Sequence, residues 1–456
     1  MNTLIAIIGL GVLCLLFEII NFRKAIIPVT ILGLMGILGL TLSELNSPAT
    51  YHNNMIVVNK FSVAFSSLFI ILTIFLVALS HNFYEKHQTK ISDYISIKIF
   101  LLSGAVAMVS FGNLSMFFLG IEILSISLYV LAASDRMNIR SNEAGLKYFL
   151  MGSFASGILL FGICLIYGAM GTFDIAEISE LSQSAELPSW FFIGIILLTI
   201  GMLFKIAAVP FHFWAPDVYQ GSPALTTATM STLAKVVAMA ALYKLLSAMN
   251  VEITYGFQIV IVVISIASMT VGNIMALKQT NVKRMLAFSG ISHAGFMLMA
   301  LLSATTSAGS LLYYATAYSL AGIATFSVLL YVCKDKVNEE ISDFNGLGKT
   351  NPILAAVLTA SLLSMAGIPI FAGFFAKLML FTQTIQAGYL IVVIAAVINS
   401  IISIAYYFKL ILAMYTKDAA EEKQATPFAF YAVAVIAIVF NMIIGLYPTL
   451  IMQLLE

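Results

Sequence analysis

The chain has 456 residues, 61% of them hydrophobic and only 9% charged, with 22 basic against 21 acidic side chains. Its mean hydropathy of +1.03 means more apolar surface than a water-soluble core can hide, which excludes an ordinary soluble domain. The near-neutral balance leaves no basic footprint for nucleic acid, so membrane lipid is the expected surrounding.

Apolar blocks of eighteen or more residues recur along nearly the whole length. They are too long for β-barrel strands and do not alternate, so the spans are predicted to be helices. The predicted fold is an all-α integral membrane protein, one membrane domain over 1–456. Polar and Pro/Gly clusters divide it into fourteen predicted spans: 2–20, 25–43, 57–81, 93–111, 114–133, 142–170, 189–220, 222–248, 255–277, 281–303, 307–334, 350–386, 388–416 and 427–454. The first block, from Thr3 to Ile20, has no basic residue before it and no small-residue cleavage site, and reads as a retained helix.

The loops alternate in charge. One side carries fourteen basic residues: Arg23, Lys24, Lys86, Lys90, Arg136, Arg140, Lys278, Lys283, Arg284, Lys334, Lys336, Lys349, Lys417 and Lys423. The other carries Lys60 alone, with acids such as Asp174, Glu177, Glu180, Glu186 and Glu252. The positive-inside rule then places the basic loops, 134–142 and 335–349 among them, in the cytoplasm. Loop 172–188 and both termini fall outside.

Two spans contain internal breaks. In "FKIAAVPFHFWAPDVYQGSP", residues 204–223, Pro210 removes a backbone N–H and clashes with the preceding turn of the seventh span. In "SMAGIPIFAGFFAK", residues 364–377, Gly367, Pro369 and Gly373 interrupt the twelfth. Broken helices survive at membrane depth only where they line a buried or watered cavity, and paired breaks point to an ion pathway between repeats. Spans 4–8 (93–248) and 9–13 (255–416) each hold their break in the fourth member. Each unit has five helices, an odd number, so the two are expected to be inverted repeats.

Seven basic residues fall inside spans. Lys98, Lys147, Lys244 and Lys409 lie near span ends, where a long side chain can snorkel to the interface. Lys205, Lys235 and Lys377 lie deep. Lys235 is thirteen residues from Ser222, and Glu122 is nine from Asn113 and thirteen from Asp135, so both are near mid-membrane. Each deep charge costs at least about 2.5–3.5 kcal/mol, and the four together about 10 kcal/mol before any pairing. A static Glu122–Lys205 pair would account for two of them, but one carboxylate cannot neutralise three ammoniums. A desolvated ammonium gives up its proton readily, so several linked by water would make a proton relay. Glu122 and Lys205 are expected to approach within ion-pair or one-water distance. His293, in "SGISHAGF", fits either a proton carrier between half-channels or a hydrogen-bonded packing histidine. Asp217 and His212 read as caps of the broken segment or as a proton entry. Glu143 and Lys147, four apart, read as an interfacial ion pair.

Redox chemistry has no visible seat. Cys14, Cys164 and Cys333 stand alone, without metal-ligand spacing, and no GxGxxG follows a strand. "GLGKT" at 346–350 lacks the first glycine of a phosphate loop, since Asp343 holds that place. No cofactor or metal is expected in this chain.

Four stretches carry a family resemblance: "FKIAAVPFHFWAPDVYQGSPALTTATMSTLAK", "FFLGIEILSISLYVLAA", "EAGLKYFLMGSFASG" and "NVKRMLAFSGISHAGF". Together they resemble the antiporter-like membrane subunits of bacterial respiratory complex I, over essentially the whole chain. The resemblance implies relay roles for Glu122, Lys205, Lys235 and Lys377. It implies a proton-translocating subunit of an NADH–quinone oxidoreductase in the cell inner membrane, enzymatic only as part of the complex. NADH, flavin (FMN), iron–sulfur clusters and quinone would then be handled by partner subunits. Within the family one related subunit carries glutamate on the twelfth helix, where this chain has Lys377. Another continues into a lateral helix, whereas this chain ends at Glu456. What remains is the subunit neighbouring K and M. The same buried charges would also suit a cation/proton antiporter, or a subunit of a related hydrogenase or plastoquinone-linked complex. A purely structural subunit would keep the helices and tolerate loss of the lysines.

Overall fold

Helices dominate the computed structural model, because no other open structure satisfies the backbone in lipid. It describes all residues except 21–22, 85–90, 185–186, 250–254, 304–305, 335–337, 419–426, 453 and 455–456. Lys86, Lys90, Glu186, Glu252, Lys336 and Lys423 lie outside the described residues, as does the side chain of Lys24. In chain order the helices are α1 (Asn2–Ile19), α2 (Ile26–Ser43), α3 (Lys60–Tyr84), α4 (Ile91–Ser110), α5 (Leu114–Ala132), α6 (Ile139–Met170), α7 (Ile175–Ser184), α8 (Ser189–Ile206), α9 (Trp214–Gly221) and α10 (Ala224–Thr229). They continue as α11 (Lys235–Met249), α12 (Tyr255–Leu277), α13 (Val282–Leu298), α14 (Ala308–Val332), α15 (Leu347–Thr350), α16 (Pro352–Ala366), α17 (Ala372–Gln386), α18 (Leu390–Thr416), α19 (Phe428–Leu446) and α20 (Thr449–Met452).

Thirteen helical stretches among the described residues are long and apolar enough to cross a membrane. The expected twelfth span is instead two helices, α16 and α17, of fifteen residues each. At 1.5 Å per residue neither half covers a hydrocarbon core of about 30 Å alone. The expected seventh span is likewise divided, into α8 and the eight-residue α9. One element departs from the all-α expectation: β1 (Ala49–Tyr51) and β2 (Ile56–Val58) pair antiparallel. His52, Asn53 and Asn54 turn the chain between them with positive φ. The hairpin packs down on Gly112, whose N–H donates to the Met55 carbonyl at 3.0 Å. A Cβ there would stand 1.9 Å from the Asn54 oxygen.

The polar loops collect on two opposite faces. On one, Arg140 donates to Asn338, Lys283 pairs with Glu339 at 2.7 Å, and Arg284 pairs with Asp217 at 2.6 Å. On the other, Leu114 N–H donates to Phe173 O at 2.9 Å beside the hairpin. α5 runs from this face to the basic one. The least exposed helices form the axis: α13 has every residue but Arg284 buried, and α10, α11 and α14 nearly so. α1 and α2 are peripheral, with about a third or less of their residues buried.

Candidate functional site

The first break sets the position of Lys205. α8 ends at Ile206, and Ala207 takes the left-handed conformation at φ 59°. Its N–H and that of Ala208 close back on Phe204 and Leu203 carbonyls at 3.0 and 2.9 Å. The helix is therefore over three residues before Pro210, which prevents its resumption instead of starting the break. Lys205 occupies the last turn, where a cation meets the negative end of the helix. Its Nζ donates to Ser125 Oγ on α5 at 2.7 Å, with Tyr129 OH and Ser156 Oγ each at 3.4 Å.

Glu122 sits one turn before Ser125 on α5. It makes no ion pair with Lys205 within 4.0 Å, and its buried Oε1 has no hydrogen-bond partner. Of the two expected arrangements, ion-pair or one-water distance, the direct ion pair is not formed, because Ser125 takes the ammonium. Glu122 remains within electrostatic reach of Lys205 and Tyr129.

Lys235 follows a π-helical turn, Met230–Ala234, that joins α10 to α11. Such a turn widens the helix and is common at functional sites. The side chain is 2% exposed, and its Nζ has no hydrogen-bond partner among the described residues. Gly290 on α13 makes room for it. A Cβ at Gly290 would lie 2.5 Å from Lys235 Nζ and 3.3 Å from the Tyr318 hydroxyl. Tyr318 in turn lies 3.3 Å from Ser231 Oγ.

His293, one turn from Gly290, continues the polar line. Its Nδ1 is 2.7 Å from Tyr314 OH and its Nε2 3.3 Å from Tyr407 OH, which is also 2.5 Å from Ser289 Oγ. Its bonds are those of a well-satisfied histidine, yet both Lys235 and Lys377 act on it electrostatically. Both readings of this residue thus share one geometry.

At the second break, Gly367 (φ 88°) and Ile370 (φ 86°) carry the chain from α16 to α17 around Pro369. Lys377 reaches back across it and donates to the Ala366 carbonyl at 2.8 Å, with its Nζ 4.7 Å from the Phe296 ring centroid. The final carbonyls of a helix lack internal partners, so the lysine of one half satisfies the end of the other. Asn441 of α19 ties the junction: its Oδ1 accepts from Ser364 Oγ at 2.9 Å and its amide donates to Ala317 O at 2.9 Å. No sequence signal pointed to Asn441.

Two lysines were misplaced by their position near span ends. Lys98 is 2% exposed and donates to Ser80 Oγ at 2.6 Å. Lys244 is 9% exposed and donates to Val109 O at 2.7 Å, at the end of α4. Neither reaches the interface, because neighbouring helices and the hairpin cover those ends. Lys147 and Lys409 behave as expected, exposed and bound to Glu143 at 2.6 Å and to Gln279 O at 2.9 Å. Asp217 does not cap α9. Its carboxylate takes Arg284 at 2.6 Å and Lys147 at 3.5 Å, and α9 has no side-chain cap. His212 is buried, with Nδ1 unpartnered.

Residues 112–403 match the family described as NADH:quinone oxidoreductase/Mrp antiporter, transmembrane. A protein of Flavobacterium johnsoniae called NADH-quinone oxidoreductase subunit N is 73% identical, with both chains covered in full. Its namesake in Cytophaga hutchinsonii is 44% identical over 100% of this chain and 99% of that one. Among solved structures, a chain of respiratory complex I from Thermus thermophilus with bound aureothin superposes with a TM-score of 0.86 at 28% identity, covering 99% of this chain and 98% of that one. A chain of the Mrp complex from Dietzia shares the fold, with a TM-score of 0.88 at 21% identity over 99% and 95% of the two chains. The chain is thus a multi-pass membrane protein that belongs to the antiporter-like family of respiratory complex I, in its subunit N branch.

Proposed function

We propose that this chain is a proton-translocating subunit in the membrane arm of an NADH–quinone oxidoreductase. It moves protons from the cytoplasm to the outside of the bacterial inner membrane, with both termini on the outer side. The observation that carries this reading is the line of buried donors along the axis: Lys235, His293 and Lys377 are each 5% exposed or less, with tyrosine hydroxyls on the histidine. Ionisable groups inside a membrane are costly and mark ion pathways.

In this reading Lys235 takes a proton arriving from the cytoplasmic side and passes it by way of His293 and its tyrosines to Lys377, beside the second break. From there it leaves outward. Lys205 is the switch. Bound at Ser125 it can move one turn along α5 towards Glu122, and so away from Lys235. Its return restores repulsion between two ammonium groups, which drives the Lys235 proton onward. The helices of 93–248 and 255–416 act as the two inverted halves that this relay joins. The drive comes from quinone reduction in partner subunits, which also hold NADH, FMN, the iron–sulfur clusters and the quinone. Subunits K and M are the expected neighbours.

The test is quinone-dependent NADH oxidation with pH-gradient formation in vesicles, normalised to assembled complex. Lys235→Ala and Lys377→Ala should assemble and fail to pump. Lys235→Arg should fail too, because guanidinium keeps its charge but does not release a proton. Full pumping by Lys235→Arg would make the position a fixed charge and remove the relay.

A further inference from the structure

Two cavities touch opposite ends of the α10–α11 span that carries Lys235, and they differ in chemistry. One, of about 500 Å³, touches Pro210 and Phe211 at the first break and is lined by side chains such as Phe192, Leu203 and Phe257, none of them charged. An apolar cavity of that kind gives water too few partners to hold it. The other, of about 260 Å³, opens on the basic face and is lined by Asp135, Arg140, Ser222, Lys283, Lys334 and Glu339. It has both the room and the polar groups to hold several waters.

We propose that this second cavity, and not the helix break, is where protons enter the relay, with Glu339 as the collecting group. The inference rests on the proton-pumping reading above. Glu339 is held by Lys283, whose Nζ spans the Glu339 carboxylate at 2.7 Å and the Ser222 carbonyl at 2.9 Å. The pair is largely buried, at 4% and 12% side-chain exposure. Such a pair is a poor device for stability alone, since well-packed apolar residues would serve as well. The Ser222 hydroxyl, in a residue 1% exposed, has no partner among the described residues and lines the same cavity. Arg140, Lys334 and Asp135 are the other charges that line it. Asp217, at the alternative entrance, has a side chain 44% exposed and does not line this cavity.

A hydroxyl column leads down from this cavity. Thr226, Thr229 and Thr232 follow at three-residue spacing, each 1% exposed or less, and Ser231 lies one turn before Lys235. α14 supplies the facing side. Leu329 and Cys333 line the cavity, and deeper in α14 Ser319 and Tyr318 follow. The thirteen residues from Ser222 to Lys235 rise about 20 Å. In the transfer, a hydronium in the cavity protonates the Glu339 carboxylate as its ion pair opens. The new O–H then gives its proton to a hydrogen-bonded chain of water and hydroxyls. The lone pair of the neutral Lys235 amine accepts the proton at the far end, and Glu339 returns to Lys283 as the carboxylate. One proton moves and nothing is oxidised or reduced.

The experiment uses the assembled complex in inverted vesicles, with Lys235→Arg measured in parallel. Glu339→Gln should lower proton pumping about tenfold or more per complex, the scale of losing a proton-transfer group. Glu339→Asp should restore much of it. Wild-type pumping by Glu339→Gln beside a dead Lys235→Arg overturns the entry site alone. Full pumping by Lys235→Arg overturns the reading on which it rests. Should Glu339→Gln fail to assemble, the native Cys333 decides. With Cys14 and Cys164 replaced by alanine, a charged methanethiosulfonate added from the cytoplasmic side should modify Cys333 and stop pumping. A modified Cys333 with undiminished pumping, or one reached only from outside, overturns the proposal.

Discussion

Gly290→Ala is a test of the relay that leaves every titratable group in place. The added Cβ would stand 2.5 Å from Lys235 Nζ, whereas ordinary contact begins at 3.4 Å. The ammonium must therefore retreat by about 1 Å, and a misplacement of that size can cost a reacting group roughly 10²-fold in rate. The stability side is milder. Overpacking a core costs about 1–3 kcal/mol, while replacing glycine by alanine inside a helix returns about 1 kcal/mol. The atom that must yield is the end of a flexible chain, so the cost falls at the low end and the complex should assemble. The expected result is a ten- to hundredfold loss of pH-gradient formation per assembled complex. Gly157→Ala serves as the control, since a Cβ there meets nothing within 4 Å. Parent-level pumping by Gly290→Ala would refute the argument that this gap positions Lys235. So would loss of the assembled complex, because it would mean the lysine cannot yield.

Other outcomes follow from single contacts. Ser125→Ala removes the 2.7 Å acceptor of Lys205; it should weaken pumping by the equivalent of about 1.5–3 kcal/mol, the worth of a hydrogen bond to a charged group, and unchanged pumping would exclude Ser125 from the switch. Gly373→Ala would drive a Cβ to 1.8 Å from the Ser364 backbone oxygen, so the membrane content of assembled complex should fall sharply; normal assembly would show that the α16–α17 junction can open. Lys98→Met should leave pumping within about twofold, since the Ser80 hydroxyl that accepts from Lys98 still donates to the Leu76 carbonyl when the ammonium is gone; a dead pump would add Lys98 to the relay. Met137→Cys, at a position 94% exposed, should be labelled only from the cytoplasmic side and Glu177→Cys only from outside; the reverse pattern would overturn the orientation.

The spans were legible because hydropathy reports the average surroundings of a segment, and lipid differs from water over its whole length. The deep charges were legible for the same reason: no other charged residue lies within eight positions of Lys235 or Lys377 on either side. What the neighbours of a helix do was not legible. Lys98 and Lys244 sit near span ends, but other helices cover those ends, and burial there depends on packing. Ala207 hid the start of the first break, because glycine is the usual residue in that conformation. The π turn before Lys235 and the hairpin over Gly112 likewise depend on tertiary contact. For Lys205, which atom the ammonium chooses was decided by Ser125, one turn along α5 from Glu122.

The hydrogen bond from Lys377 to the Ala366 carbonyl makes the second break a chooser between donors and acceptors. A carbonyl can only accept, so the group opposite it must carry a hydrogen. An ammonium always does, and the two halves of the span are clasped most firmly when position 377 is charged. A glutamate in the same place could make that bond only as the neutral acid, and would repel the carbonyl once ionised. Exchanging lysine for glutamate here would therefore invert the electrical state in which the helix end is held shut. A proton passing through would then fasten the joint in one version by creating a charge, and in the other by erasing one.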